Sequence, residues 1–196
     1  MKLKLLKWIL LLLFFIISII TIFLMFYVYP SKSKNNVAVQ VEASNEKTAL
    51  KIPTQIIIPK INVDAAIESV GLTPQGEVGA TEGPINAAWF NLGPVPGEIG
   101  ASIIDGHSGW KDGTPAIFDN LHNLTEGDKI YIKNQKGDTI TFIVRSLQIY
   151  GKNENTSSIF ISNDGLAHLN LITCAGSWNK NKKSSYDRLV IFTNKE

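Results

Sequence analysis

The 196-residue chain is poor in the residue types that build several common kinds of site. It has one cysteine, which cannot form an internal disulfide, so it is not a disulfide-stapled secreted scaffold. With that Cys and three scattered histidines, none at paired spacing, it lacks zinc-ligand patterns, and no metal is expected. Neither G-x-x-x-x-G-K-[ST] nor G-x-G-x-x-G occurs, so no phosphate-cradling loop and no cofactor is expected. A formal charge of +2 is too small to point to nucleic acid. Charged residues make up only 18% against 44% hydrophobic, which excludes a disordered chain.

Charge is missing altogether from Trp8 to Tyr29, WILLLLFFIISIITIFLMFYVY. As a helix those 22 residues reach about 33 Å at ~1.5 Å per residue, enough for a bilayer core of ~30 Å. Lys2, Lys4 and Lys7 precede the run and Lys32 and Lys34 follow it, which favours a cytoplasmic N-terminus. A cleaved signal peptide would have an apolar region of ~7–15 residues and a small-x-small site close behind. Here the run ends in Phe26, Tyr27, Val28 and Tyr29, and the nearest such pattern, Val41-Glu42-Ala43, lies well beyond. The expectation is an uncleaved single-pass anchor, with the remainder of the chain outside the cell.

No acid opposes those five lysines; subtracting them leaves 14 basic and 17 acidic residues, or −3 from Asn35 onward. The chain is a basic anchor on a mildly acidic exported part. Residues 1–30 form the cytoplasmic tip and anchor, and residues 31–51 (SKSKNNVAVQVEASNEKTALK) form a polar stalk without sustained periodicity. Residues 52–196, roughly 145 in all, suit a single core.

That domain is expected to be mainly β. Short β-branched runs bounded by Gly, Pro, Asn and Asp occur at Gln55–Ile58, Asn62–Ile67, Ala101–Asp105, Lys129–Lys133, Thr139–Tyr150, His168–Thr173 and Arg188–Thr193. Gly127-Asp128 and Lys136-Gly137-Asp138 bracket a hairpin, and Pro59 marks a break or an edge. A short helix is expected over Pro115–Leu121, with Thr114 as N-cap.

Three residues stand out as candidates for chemistry. Cys174 follows an apolar run at a strand end and precedes small Ala175 and Gly176. A lone cysteine is often an inert buried one. An oxidising exterior, however, makes a spare thiol a liability unless it is used, and strand ends present side chains to loops. His107 lies just past another apolar run, between Gly106 and Gly109, where the backbone leaves room for a substrate. His122 and His168 are expected at the surface. Against 17 lysines the chain has only Arg145 and Arg188. Arg188 opens the last run, 14 residues after Cys174, and its planar fork suits a developing oxyanion in a way Lys does not. The alternative is a strand-end arginine paired with Asp187 or another acid. Arg145, mid-strand, is assigned a structural role.

A strand ending in Gly106-His107, then Leu171-Ile172-Thr173-Cys174, then Arg188 and three apolar residues resembles the sortases, cysteine transpeptidases that attach surface proteins to the Gram-positive envelope. The resemblance extends over Ile52–Thr193. With Ile58–Ala65, Val70-Gly71-Leu72, Gly93–Gly100 and Pro115–Phe118 it looks most like class F. It implies a β-barrel with short helices, catalytic roles for His107, Cys174 and Arg188, and a supporting role for Thr173. It also implies surface proteins with a C-terminal sorting signal as substrates and an envelope amine, such as a peptidoglycan precursor, as acceptor. Two positions depart from the family pattern: Asn170 stands where it has Thr, and Asp105 where a small residue is common. Asp105 either points away from the site or bears on the charge of His107. Competing readings are an envelope cysteine peptidase or L,D-transpeptidase-like enzyme, and a non-catalytic anchored β-barrel that binds a partner. Papain-like enzymes place Cys before His, the reverse of this chain, and the Ser-x-Gly-Cys pattern of L,D-transpeptidases is absent around Cys174.

Overall fold

The computed structural model describes residues 2–28, 51–175 and 187–196 and, within the N-terminal helix, the side chains of Trp8 and residues 13–25. Two compact units divide the chain, Met1–Lys47 and Thr48–Glu196.

In the first unit, helix α1 covers Lys2–Val28. No Gly or Pro interrupts this Leu- and Ile-rich segment, and it ends two residues before Pro30, where a helix is sterically disfavoured. Large apolar side chains such as Phe14, Phe15 and Phe23 are exposed on it. Among the described residues no helix is long and apolar enough to cross a membrane. The expected span, Trp8–Tyr29, extends past the described side chains, and Tyr29 and the stalk up to Leu50 lie outside the described residues.

The second unit is a closed barrel of eight strands: β1 (Pro53–Ile58), β2 (Val63–Val70), β3 (Ala87–Phe90), β4 (Gly100–Asp105), β5 (Lys129–Asn134), β6 (Thr139–Tyr150), β7 (Ala167–Ala175) and β8 (Asp187–Lys195). Around the barrel their order is β1-β2-β3-β4-β7-β8-β6-β5, and β5 pairs with β1 to close it. Closure leaves no free sheet edge. The seven expected strands are all present. The eighth, β3, is only Ala-Ala-Trp-Phe, too short and too alanine-rich to show period-2 alternation. Pro59 opens a 3-10 turn, Pro59–Ile61, between β1 and β2. The expected β5–β6 hairpin forms, with Gly137 at φ 85° in its turn.

Residues alternate in and out along each strand. The barrel interior holds Ile56, Ile58, Trp89, Ile104, Phe142, Leu169, Leu171 and Ile191. A second cluster, Ile103, Tyr150, Ile159, Ile172, Val190 and Phe192, covers the outer face of β4, β7 and β8. Helix α2 (Ser157–Phe160) caps this cluster through Ile159. β7 is therefore buried on both faces, which explains its unbroken apolar character around Cys174.

The expected helix over Pro115–Leu121 does not form. Three of its amides are drawn elsewhere: Ala116 N donates to the Asp119 carboxylate, Ile117 N to Pro84 O and Phe118 N to His107 O. Only a 3-10 turn, Leu121–Asn123, follows. His122 is exposed, as expected, but His168 is buried. Its Nδ1 meets Thr193 O and Asn194 Oδ1, and its Nε2 meets the Asp164 carboxylate, so its polar edges are satisfied without water.

Candidate active site

The site forms where β4, β7 and β8 end together. β7 and β8 are antiparallel, and Cys174 lies directly opposite Arg188, with Ala175 opposite Asp187. Opposite residues of an antiparallel pair have Cα atoms about 4.5–5.5 Å apart and side chains on the same face. On the other flank β4 runs parallel to β7, with Asp105 opposite Ile172. The ladder continues one step, since Gly106 N donates to Ile172 O at 3.1 Å. His107 follows, which brings it abreast of Cys174. By register, then, His107, Cys174 and Arg188 form one row across three neighbouring chain segments.

Alternation fixes which face they share. Leu169, Leu171 and Leu189 point into the barrel, so Ile172, Cys174 and Arg188 point out. Cys174 is a free, half-buried thiol, and Arg188 is exposed, with Nη1 donating to Asp187 O at 3.1 Å. Asp187 thus engages Arg188 through its carbonyl.

Thr173 occupies the inward position beside the nucleophile candidate and is 2% exposed. Its hydroxyl donates to Gly106 O at 2.7 Å, tying the residue before His107 to the residue before Cys174. Gly106 is required there, because an added Cβ would collide with the buried Phe118 ring and reach Ile117 Cγ2 at 3.0 Å.

His107 is held from two further sides. Its Nε2 lies 3.0 Å from Thr81 O. A carbonyl only accepts, so Nε2 carries the hydrogen and Nδ1 is the nitrogen left to exchange a proton. The Trp110 ring packs against the imidazole with centroids 4.7 Å apart. Asp119 pinches the intervening loop, accepting from Gly109 N at 2.6 Å and Ala116 N at 2.8 Å. Sequence reading did not single out Thr81, Trp110 or Asp119. Each acts through a contact between segments distant in sequence or through a loop, and no periodicity marks such contacts.

The other singled-out residues have structural places. Arg145 sits at the register shift in β6 with its guanidinium 5.9 Å from the Phe192 ring centre, a packing contact. Asn170 is buried, and its Nδ2 donates to Ile159 O at 2.6 Å, pinning α2 to β7. Asp105 falls on the same outer face as Cys174. Burial pushes its carboxyl up to about 6, against the lowering influence of Arg188, then His107, then the Gly106 amide.

The profile of the sortase domain matches residues 56–196. No curated protein matches the chain. Among solved structures, sortase C-1 from Actinomyces oris is 24% identical with a TM-score of 0.59, covering 73% of each chain. Sortase A from Corynebacterium diphtheriae is 22% identical with a TM-score of 0.57, covering 85% of this chain and 71% of that one. A pilus-related sortase C of Group B Streptococcus is 24% identical with a TM-score of 0.56, covering 74% of this chain and 68% of that one. At these identities the likeness is one of fold.

Proposed function

Because the chain belongs to the sortase family and is a cysteine transpeptidase, we propose that Cys174 is its nucleophile, His107 its acid–base group and Arg188 its oxyanion partner, with Thr173 in support. The observation that carries this reading is the row His107–Cys174–Arg188 at the joined ends of β4, β7 and β8. The Cys174 thiolate attacks the carbonyl carbon of a Thr–Gly-type bond in a sorting signal. The guanidinium of Arg188 stabilises the oxyanion of the tetrahedral intermediate. As the C–N bond breaks, His107 gives a proton to the departing amine and a thioester remains on Cys174. An envelope amine then attacks the thioester, His107 takes its proton, and the thiolate leaves. The loss of any one of the three would leave a folded domain with little turnover.

The substrates in this reading are surface proteins with C-terminal sorting signals, and the acceptor is an envelope amine such as a peptidoglycan precursor. In this reading the chain is nearest class F, which the motifs Ile58–Ala65, Gly93–Gly100 and Pro115–Phe118 support. Residues 8–29 form a single membrane span with the N-terminus in the cytoplasm, residues 31–51 a stalk, and residues 52–196 the extracellular catalytic domain. Support comes from the 22 uncharged residues, the flanking lysines and the helical backbone of α1. Such tethering raises the effective concentration of the site toward membrane-bound substrates.

The test is peptide-library cleavage by the full-length chain in detergent, read by mass spectrometry, beside the Cys174→Ala variant. Wild type is expected to cut one bond in a restricted motif and the variant none, at unchanged circular dichroism. Undiminished cleavage by Cys174→Ala would remove Cys174 from the mechanism.

A further inference from the structure

Asp105 is outside the trio of His107, Cys174 and Arg188, yet it shares their face. It is the last residue of β4, half-buried, and its backbone is fixed between Ala88 of β3 and Ile172 of β7. Cys174 lies two residues beyond Ile172 on the same side of β7, and Val190 and Arg188 repeat that spacing on β8. The next residues after Asp105 are Gly106 and His107, so the carboxyl stands one row behind the reacting groups. From that position the charges of Arg188 and His107 favour its carboxylate form, against the burial that disfavours it.

Among the described residues, Arg188 and His107 are the cationic groups that act on it. The four residues of β3 are uncharged, as is α2. On β2, Glu68 lies beyond Ala88 and accepts from Asn86 Nδ2 at 2.6 Å. On β6, Tyr150 faces the outer cluster with its hydroxyl 3.2 Å from both Gln148 Oε1 and Ser158 Oγ. On β7, Cys174 is the ionisable group nearest in register. Desolvating a carboxylate is costly unless charge partners compensate, and here the partners are two residues of the site itself.

We propose that Asp105 is a positioning residue for the acyl transfer, its carboxylate serving as the common anionic partner of the His107 imidazole and of the Arg188 guanidinium, which it draws toward β7 beside Cys174. This rests on the catalytic roles proposed above. Its consequence is electrostatic: a negative charge one row behind the site favours the protonated form of every neighbouring group. Removing it therefore moves the pH response of the whole site toward acid.

The experiment uses the full-length chain and Asp105→Asn, which keeps shape and removes charge. Cys174 is the only thiol, so the rate of iodoacetamide alkylation between about pH 4.5 and 9 reports it alone. The half-maximal pH is expected to fall by about half a unit or more in Asp105→Asn. The two profiles should converge below about pH 5, where the wild-type carboxyl is itself protonated. Peptide cleavage near pH 7.5 should drop about tenfold or more, with kcat rather than KM carrying the loss. Asp105→Ala repeats the measurement should the amide disturb the fold. An alkylation profile superimposable on wild type, or a uniform loss of activity with no shift, overturns the proposal and leaves Asp105 a packing residue. The two readings fail separately: cleavage that survives Cys174→Ala sinks the catalytic assignment, whereas Cys174-dependent cleavage with an unshifted profile sinks only the role of Asp105.

Discussion

Replacing Thr173 by Val tests how the site is held together. Val has the shape of Thr without the hydroxyl, so the barrel interior around Leu171 and Leu189 stays filled. What disappears is the 2.7 Å bond to Gly106 O, a buried link between the end of β4 and the end of β7. A neutral hydrogen bond contributes about 0.5–1.5 kcal/mol net, and a buried acceptor deprived of its donor costs about 1–3 kcal/mol. The expected loss is therefore about 1–3 kcal/mol, or roughly 3–8 °C in melting midpoint for a domain of this size. The effect on catalysis is expected to be larger than that on stability, because Gly106 immediately precedes His107. A displacement of the imidazole on the order of 1 Å is worth up to ~100-fold in rate. The assay pairs thermal unfolding followed by circular dichroism with steady-state peptide cleavage by the full-length chain. Thr173→Ser, which restores the donor, should recover most of both losses. A Val variant that melts within about 1 °C of wild type at full turnover would refute the reasoning. So would a Ser variant no better than Val.

Two further outcomes are expected. Gly106→Ala places a methyl against the Phe118 ring, with Cε2 at 2.7 Å, in a core position that cannot yield freely; overpacking of this kind costs about 1–3 kcal/mol. It should lower both the melting midpoint and turnover, and Phe118→Leu in the same chain should restore part of the stability; if stability is unchanged by the methyl, the close approach is not a constraint. Asp105→Asn should be more stable than wild type at about pH 7.5, because the folded carboxyl titrates at about 6 against a free value of 3.8. Between those values the folded state binds more protons than the unfolded one, so wild-type stability falls as pH rises through the window and stays lower above it. The gain in the variant is on the order of 1–3 kcal/mol, vanishing below about pH 4. Urea titrations at both pH values measure it, and equal midpoints for the two proteins at pH 7.5 would show that burial of the charge is not costly.

Much of the barrel can be read along the chain because its strands follow local rules. Seven of the eight carry β-branched runs bounded by turn formers, and the hairpin and Pro59 break obey the same chemistry. The exceptions have physical causes. β3 is four residues long and owes its place to pairing with β2 and β4. The segment Pro115–Leu121 has a helix-like start, but its first amides donate to Asp119, Pro84 and His107, and the bonds within it, Asp119 N to Ala116 O and Leu121 N to Phe118 O, are of the i→i−3 turn kind. His168 opens a strand and looks like a surface residue, yet Asp164, Thr193 and Asn194 supply acceptors that let it be buried. Asp105 is the most instructive case: of the two orientations open to it, strand pairing selects the face it shares with Cys174.

By itself, then, the sequence determined which residues could carry chemistry. A single cysteine, one histidine between glycines and an arginine among lysines are identities, and identity fixes nucleophilicity, proton exchange and permanent charge. Whether these groups meet is a matter of register between strands far apart in the chain. Residue 107 is brought abreast of 174 by the parallel β4–β7 ladder, and 174 opposite 188 by the antiparallel β7–β8 ladder. Those pairings are set by the closure of the barrel around its apolar interior, a cooperative burial to which all eight strands contribute. The same closure brings Thr81, Trp110 and Asp119 around the histidine loop and places Asp105 on the face shared by Cys174 and Arg188, because contacts between distant segments exist only once the core has chosen which segments are neighbours.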